Sequence, residues 1–155
     1  YQKILFATFQ IFSHTMAEHG LRESIAPIRI LVAEDDMFQR LNLMDLLDFC
    51  NYEVTDVENG LEAKEELLKN GNSYDLVLLD LMMPEMDGLE TLIFIKDHPK
   101  LKDLPVVMMS SDRDMDTVAL CMAKGAKDYL MKPVRIPTAK GLKKFVRLQG
   151  PTERQ

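Results

Sequence analysis

The sequence predicts an α/β domain built on a doubly wound, five-stranded parallel sheet. Short apolar runs of strand length alternate with longer segments of helical spacing, and parallel strands require helical crossovers between them. The run Leu76 to Leu79 carries no polar residue, as expected of a strand covered by helices on both faces. Several runs stop abruptly at a polar or charged residue. Such a pattern puts chemistry at the carboxyl ends of the strands, where open α/β sheets gather their ligands.

A chain of 155 residues with 46% apolar and 28% charged side chains has the usage of one globular domain with a proper core and short tails. The 19 cationic and 25 acidic side chains leave a net charge of −6, which argues against a general nucleic-acid surface. Part of the acidic excess can sit in a metal site. Cys50 and Cys121 show no CxxC spacing and fall in predicted helices, so they read as reduced, small apolar residues of an intracellular protein. No apolar run approaches the roughly 18 residues that a membrane span needs, and no internal repeat is present.

Residues 1–27 are expected to be a poorly ordered leader. Ile4 to Phe12 is too short for a span and lacks a cleavage signal, and Met16 is a plausible start. His14 and His19 fall in this leader. The domain proper is expected over 28–148, with 149–155 as a tail.

Ile28 to Ala33 reads as the first strand, followed at once by Glu34, Asp35 and Asp36. Asp36 suits the N-cap of a helix from about Met37 to Cys50, whose inward residues are Leu43, Leu47 and Cys50. Glu34 and Asp35 have no such structural role. Two carboxylates held together at a strand end point to a hard divalent cation, because magnesium is usually bound through one or two carboxylates and several waters.

Tyr52 to Val57 reads as the second strand. Asn59-Gly60 then opens a helix over about 61 to 69, with Leu61, Leu67 and Leu68 inward, and Gly71-Asn72-Ser73 closes it. The central strand ends at Asp80. A turn or cap role for that aspartate is weakened by Asp87-Gly88, which supplies that chemistry nearer the next helix, Gly88 to about Asp97. His98-Pro99 stops this helix, with His98 as a loop residue. Leu104 to Met109 is a fourth strand ending at Ser110, followed by a helix over Asp112 to Ala123. Tyr129 to Met131 is a short fifth strand running into Lys132-Pro133. The eleven methionines read mostly as adaptable core filler.

The last helix is expected over Pro137 to Leu148, with a proline suited to its first turn and Gly141 costing roughly 1 kcal/mol against alanine. Arg135, Lys140, Lys143, Lys144 and Arg147 give this segment a cationic face, read as solvated.

Glu34 and Asp35, Asp80, Ser110 and Lys132 thus stand together at the strand ends. Acids for a cation, a central carboxylate, a hydroxyl and an ammonium describe a site that handles a phosphoryl group. The carboxylate is suited to attack phosphorus, and a cation, a lysine and a hydroxyl are suited to neutralise the phosphoryl oxygens.

In these residues the sequence resembles the receiver domain of two-component response regulators, over about Ile28 to Leu148. Glu34-Asp35 match that family's acidic pair, Asp80 its phosphoacceptor, Ser110 its hydroxyl position, Tyr129 its switch aromatic, and Lys132-Pro133 its lysine with a following proline. Pro84 and Gly88 also fall where the family has them. The resemblance implies a flavodoxin-like sheet of order 2-1-3-4-5 and a cis Lys132-Pro133 bond. It implies magnesium or manganese held by Glu34, Asp35, Asp80 and the Met82 backbone carbonyl, phosphate capture from a phosphohistidine, and slow self-hydrolysis. Such a module is not a classical enzyme; Asp80, Lys132 and Ser110 carry the self-catalysed steps, and Ser110 and Tyr129 form the switch. Its partners would be a histidine kinase or histidine phosphotransfer protein, and an effector or second copy on the face of the fourth helix, fifth strand and last helix. It would act in the cytoplasm, or in the nucleus of a eukaryotic cell. Glu34 stands where aspartate is commoner, and Met82 and Asp112 occupy positions that tune dephosphorylation.

Three other readings fit less well. A magnesium-dependent phosphohydrolase wants an acid two residues after its aspartate, where this chain has Met82. An FMN carrier wants a hydroxyl- and glycine-rich loop after the first strand, where Glu34, Asp35 and Asp36 would repel the phosphate. A partner-binding pseudo-receiver, or the receiver fragment of a hybrid histidine kinase, remains the alternative; the complete set of acids, hydroxyl and lysine favours phosphoacceptance.

Overall fold

The structure is a computed structural model that describes residues 26–146. Its strands are β1 (Arg29–Ala33), β2 (Glu53–Val57), β3 (Leu76–Asp80), β4 (Val106–Ser110) and β5 (Asp128–Met131). All neighbours pair in parallel, in the order β2-β1-β3-β4-β5. The helices are α1 (Met37–Phe49), α2 (Gly60–Asn70), α3 (Gly88–Asp97), α4 (Met115–Ala123) and α5 (Ile136–Gly141). The flavodoxin-like doubly wound sheet is therefore present as expected.

Alternation along the strands divides the core into two layers. Leu31, Val77, Leu79, Val106 and Met108 pack with Leu67 of α2, Leu92 and Ile95 of α3 and Cys121 of α4. Ile30, Val32, Leu76, Leu78, Val107 and Met109 point the other way, onto Leu43 and Leu47 of α1 and Ala139 of α5. Every residue of β3 and β4 is buried, which is why those strands read as continuous apolar runs. The edge strand β2 is only partly covered, with Glu53 exposed and the rest half-buried, and it carries polar residues accordingly.

The caps follow local chemistry. Asp36 accepts from the Gln39 amide at 2.9 Å, and Asp87 and Glu90 form a reciprocal capping box on α3. Gly88 sits where an added Cβ would collide with the Asp80 backbone carbonyl, so only glycine lets α3 start this close to the central strand end.

Several expectations need correction. α4 starts at Met115, not Asp112, because Asp114 takes the cap by accepting from the Thr117 amide at 2.9 Å and its hydroxyl at 2.6 Å. In α2 only Leu67 of the three expected leucines is buried; Leu61 and Leu68 are exposed, and Gly60 and Ala63 complete the inner face. Met37, Met82, Met115, Met122 and Met131 are exposed, so the methionines are not mostly core filler. The last helix is α-helical only to Gly141, then tightens to a 3-10 turn over Leu142–Phe145, consistent with the poor helix propensity of glycine. Cys50 and Cys121 are buried free thiols, and Cys50 caps α1 rather than extending it. His98, by contrast, is a loop residue just past α3 as expected, and its ring lies tilted against that of Phe94 with centroids 5.7 Å apart. The proposed leader up to residue 25, with His14 and His19, and residues 147–155, with Arg147 and Leu148, lie outside the described residues. No helix among the described residues is long and apolar enough to cross a membrane.

Candidate functional site

Neighbouring strands deliver the site. β1 ends into Glu34 and Asp35, β3 ends on Asp80, β4 ends on Ser110, and the chain leaving β5 supplies Lys132. Because the strands are parallel and in register, Ala33 beside Leu79 and Asp80 beside Met109, their carboxyl ends share one rim. That rim forms an open cleft lined by Glu34, Asp35, Asp80, Met82, Ser110, Asp112 and Lys132, among others.

Lys132 Nζ lies 2.8 Å from Glu34 Oε2 and 2.9 Å from Asp80 Oδ1. The two carboxylates are almost wholly buried and the lysine side chain is only 11% exposed, so the contact operates in a weakly screened setting. Burial pushes the Glu34 carboxyl above its ordinary value; Lys132 pulls it back and Asp80 pushes it up again. Burial also raises Asp80, against the pull of Lys132 and with a further push from Asp35. Burial alone would lower Lys132, but its bonds to Glu34 and Asp80 outweigh that and hold it above the usual lysine value. One ammonium is thus shared by two acids that each resist ionisation.

Glu34, Asp35 and Asp80 each offer a carboxylate oxygen, and these oxygens lie within 4.8 Å of one another. An all-oxygen donor set of this size, beside an open cleft that admits water, fits a hard divalent cation. Asp35 is exposed, and Glu34 Oε1 also accepts from the Asp36 amide at 3.3 Å.

Ser110 is buried, and its hydroxyl accepts from the Asp112 amide at 3.1 Å. Tyr129 is only 8% exposed and donates its hydroxyl to the Asp112 carbonyl at 3.0 Å. The ring is therefore already turned in, whereas the switch role would have it leave the surface only on phosphorylation. The Lys132-Pro133 bond is cis, as expected. Met82 exposes its side chain at the cleft mouth, 72% open to solvent.

Sequence reasoning missed Arg40. It is buried, donates to the Glu34 carbonyl at 2.8 Å, and pairs with Asp56 at 3.0 Å and Glu58 at 2.9 Å. A signal was available: Arg40, Leu43 and Leu47 share the inward stripe of α1, and a cation on such a stripe calls for buried acceptors.

Comparison with known proteins agrees with this architecture. The profile of the response regulator receiver domain matches residues 30–142. The two-component response regulator-like protein PRR73 of Oryza sativa subsp. indica is 42% identical over 118 residues, covering 76% of this chain and 15% of that protein. The chain thus spans about 15% of the length of that curated relative. A putative response regulator from Chloroflexus aurantiacus has a TM-score of 0.71 at 28% identity, covering 77% of this chain and 96% of that one. The Mn2+-bound form of response regulator Rcp1 has a TM-score of 0.66, also at 28% identity, covering 77% and 94%. With the receiver profile running from β1 into the turn after α5, over the sheet that assembles this rim, the chain belongs to the response regulator receiver domain family.

Proposed function

We propose that this domain accepts a phosphoryl group on Asp80 from a phosphohistidine donor, in a magnesium-dependent phosphorelay, and switches a partner-binding surface. The observation that carries the reading is the contact of Lys132 Nζ with Asp80 Oδ1 at 2.9 Å, beside carboxylate oxygens grouped within 4.8 Å. Glu34, Asp35 and Asp80, with the Met82 backbone carbonyl, would hold magnesium or manganese, which supplies charge neutralisation to the phosphoryl oxygens.

In the transfer, an Asp80 carboxylate oxygen forms the new O–P bond as the N–P bond of the donor breaks. The leaving imidazole keeps the electron pair and takes up a proton. Lys132 exchanges its bond to Asp80 for one to a phosphoryl oxygen, and the Ser110 hydroxyl donates to another. In the self-catalysed hydrolysis, water attacks phosphorus as the O–P bond to Asp80 breaks. Asp80 leaves as the free carboxylate, and inorganic phosphate departs with the oxygen of the water, whose proton passes to the phosphate or to solvent. The donors are histidine kinases or histidine phosphotransfer proteins. An effector or a second copy of the domain reads the outcome on the face of α4, β5 and α5. The setting is cytoplasmic, or nuclear in a eukaryotic cell.

Incubation with acetyl phosphate and magnesium should add one phosphoryl group by intact mass, and Asp80→Asn should add none. An adduct of the same yield in Asp80→Asn would refute the assignment. The description of the rice relative as response regulator-like favours a second reading, a pseudo-receiver that binds partners without phosphorylation. That reading predicts no adduct in the parent chain, with partner binding unchanged in Asp80→Asn.

A further inference from the structure

The guanidinium of Arg40 joins three segments at the metal end of the sheet. Nη1 donates to the Glu34 carbonyl at 2.8 Å and reaches the Asp35 carbonyl at 3.5 Å. Nε lies 3.0 Å from Asp56 Oδ2 in β2, and Nη2 lies 2.9 Å from Glu58 Oε1 just beyond it. The Arg40 side chain is 9% exposed and its bond to the Glu34 carbonyl is buried, whereas Asp56 and Glu58 meet it from the solvated side, at 34% and 66% exposed. We propose that Arg40 is the positioning residue of the acidic strand end: it fixes the Glu34 and Asp35 carbonyls against the end of β2 and thereby keeps both carboxylates turned toward Asp80. The inference deepens the proposed function and rests on its cation site.

The effect is one of direction. A peptide unit is planar, so holding a carbonyl fixes the plane that links one residue to the next. Anchoring the Glu34 and Asp35 carbonyls therefore sets the directions in which those two side chains leave the backbone. A free loop carrying adjacent acids would relieve their repulsion by turning one outward, and the anchor opposes that.

Charge alone predicts the reverse effect. A cation this close should weaken binding of a second cation, but Asp56 and Glu58 each pair with Arg40 and offset it. What remains is orientation. A guanidinium presents donors in a rigid planar fork and serves a carbonyl and two carboxylates at once, whereas a lysine is a point charge on a flexible stem. Lysine should therefore fail to replace it.

The test uses Arg40→Lys and Arg40→Met in the full chain, at a temperature well below every melting midpoint. Amide exchange at Asp35 and Asp36 is measured without metal, and magnesium affinity is measured by calorimetry. Both variants should exchange faster at Asp35 and Asp36 while Leu78 in the central strand is unchanged. Both should raise the magnesium dissociation constant by about 10-fold, the scale seen when a group that orients a metal ligand is removed. A variant that melts earlier yet keeps the parent's magnesium affinity and exchange pattern would overturn the proposal and leave Arg40 a purely structural residue. Tighter binding in Arg40→Met with parental binding in Arg40→Lys would overturn it in favour of simple charge repulsion. If the parent itself binds no magnesium, the cation site falls, and the exchange at Asp35 and Asp36 still decides whether Arg40 holds this loop.

Discussion

The Tyr129 hydroxyl donates to the Asp112 backbone carbonyl at 3.0 Å, and the amide of the same Asp112 donates to the Ser110 hydroxyl at 3.1 Å. One loop residue thus links the polar end of β4 to the aromatic of β5. A hydroxyl oxygen can accept from Asp112 and still donate its own proton, so a phosphoryl oxygen at Asp80 can recruit Ser110 without first breaking the link. Pulling Ser110 toward Asp80 should then drag Asp112 and reorient Tyr129. NMR shifts on adding beryllofluoride and magnesium should run from Asp80 through Ser110 and Asp112 to Tyr129 and α5, and Ser110→Ala should confine them to the rim. Shifts that reach Ala139 equally well in Ser110→Ala would mean that another route carries the signal.

Lys132→Ala should destabilise the metal-free domain by roughly 3 kcal/mol, because it leaves the buried carboxylates of Glu34 and Asp80 without their shared cation. Magnesium should restore part of that loss by supplying the missing positive charge and by binding only the folded state. Urea unfolding with and without magnesium measures both. An unchanged midpoint without metal would show that the contact contributes nothing net.

Two glycines should respond in opposite directions. A Cβ at Gly88 meets the Asp80 carbonyl and the Leu81 backbone, so Gly88→Ala should cost about 1–3 kcal/mol and weaken magnesium binding by displacing the strand end. Gly141 has helical backbone angles, and a Cβ added there would meet nothing within 4 Å, so Gly141→Ala should stabilise by about 0.5–1 kcal/mol. Urea midpoints for the two variants on the same side of the parent would contradict the packing at one of these sites.

Tyr74 supplies a pH test away from the rim. Its hydroxyl donates to Glu66 at 2.6 Å, and burial first, then Glu66, push the phenol from 10.0 up to about 12. Between those values the unfolded tyrosine has lost its proton and the folded one keeps it, so stability falls as pH rises through that window. The bond to Tyr74, with help from Asn70, holds Glu66 below its ordinary carboxylate value; that contribution is present above the ordinary value and is lost as pH falls through the folded one. Tyr74→Phe removes a bond worth about 1 kcal/mol and both linkages with it. The parent's advantage over Tyr74→Phe, followed by urea unfolding, should therefore be largest near neutrality and shrink toward both acid and alkali. A difference that stays flat with pH would show that the hydrogen bond does not govern either group.

The central strands β3 and β4 were legible in the sequence because a strand buried on both faces must be apolar throughout, as Leu76 to Leu79 and Val106 to Met109 are. Glu34, Asp35, Asp80, Ser110 and Lys132 were legible for the complementary reason: each polar residue interrupts such a run where the strand ends. Asp36 announced itself as a cap through its place before a helical pattern.

Local sequence could not decide competitions between neighbours. Asp112 and Asp114 are both cap chemistry, and only the fold, which commits Asp112 to Ser110 and Tyr129, leaves Asp114 to start α4. Leu61, Leu67 and Leu68 are equally apolar, and the orientation of α2 against β1 and α3 buries one of them. The inward place of Arg40 on α1 was legible, but its partners were not, since Glu34, Asp56 and Glu58 come from the ends of two different strands. Sequence alone determined the strand pattern and the polar groups at the strand ends, because burial along a single segment is written in that segment. Which donor meets which acceptor was decided by tertiary structure, because hydrogen bonds and ion pairs depend on ångström distances between segments that only the folded sheet brings together.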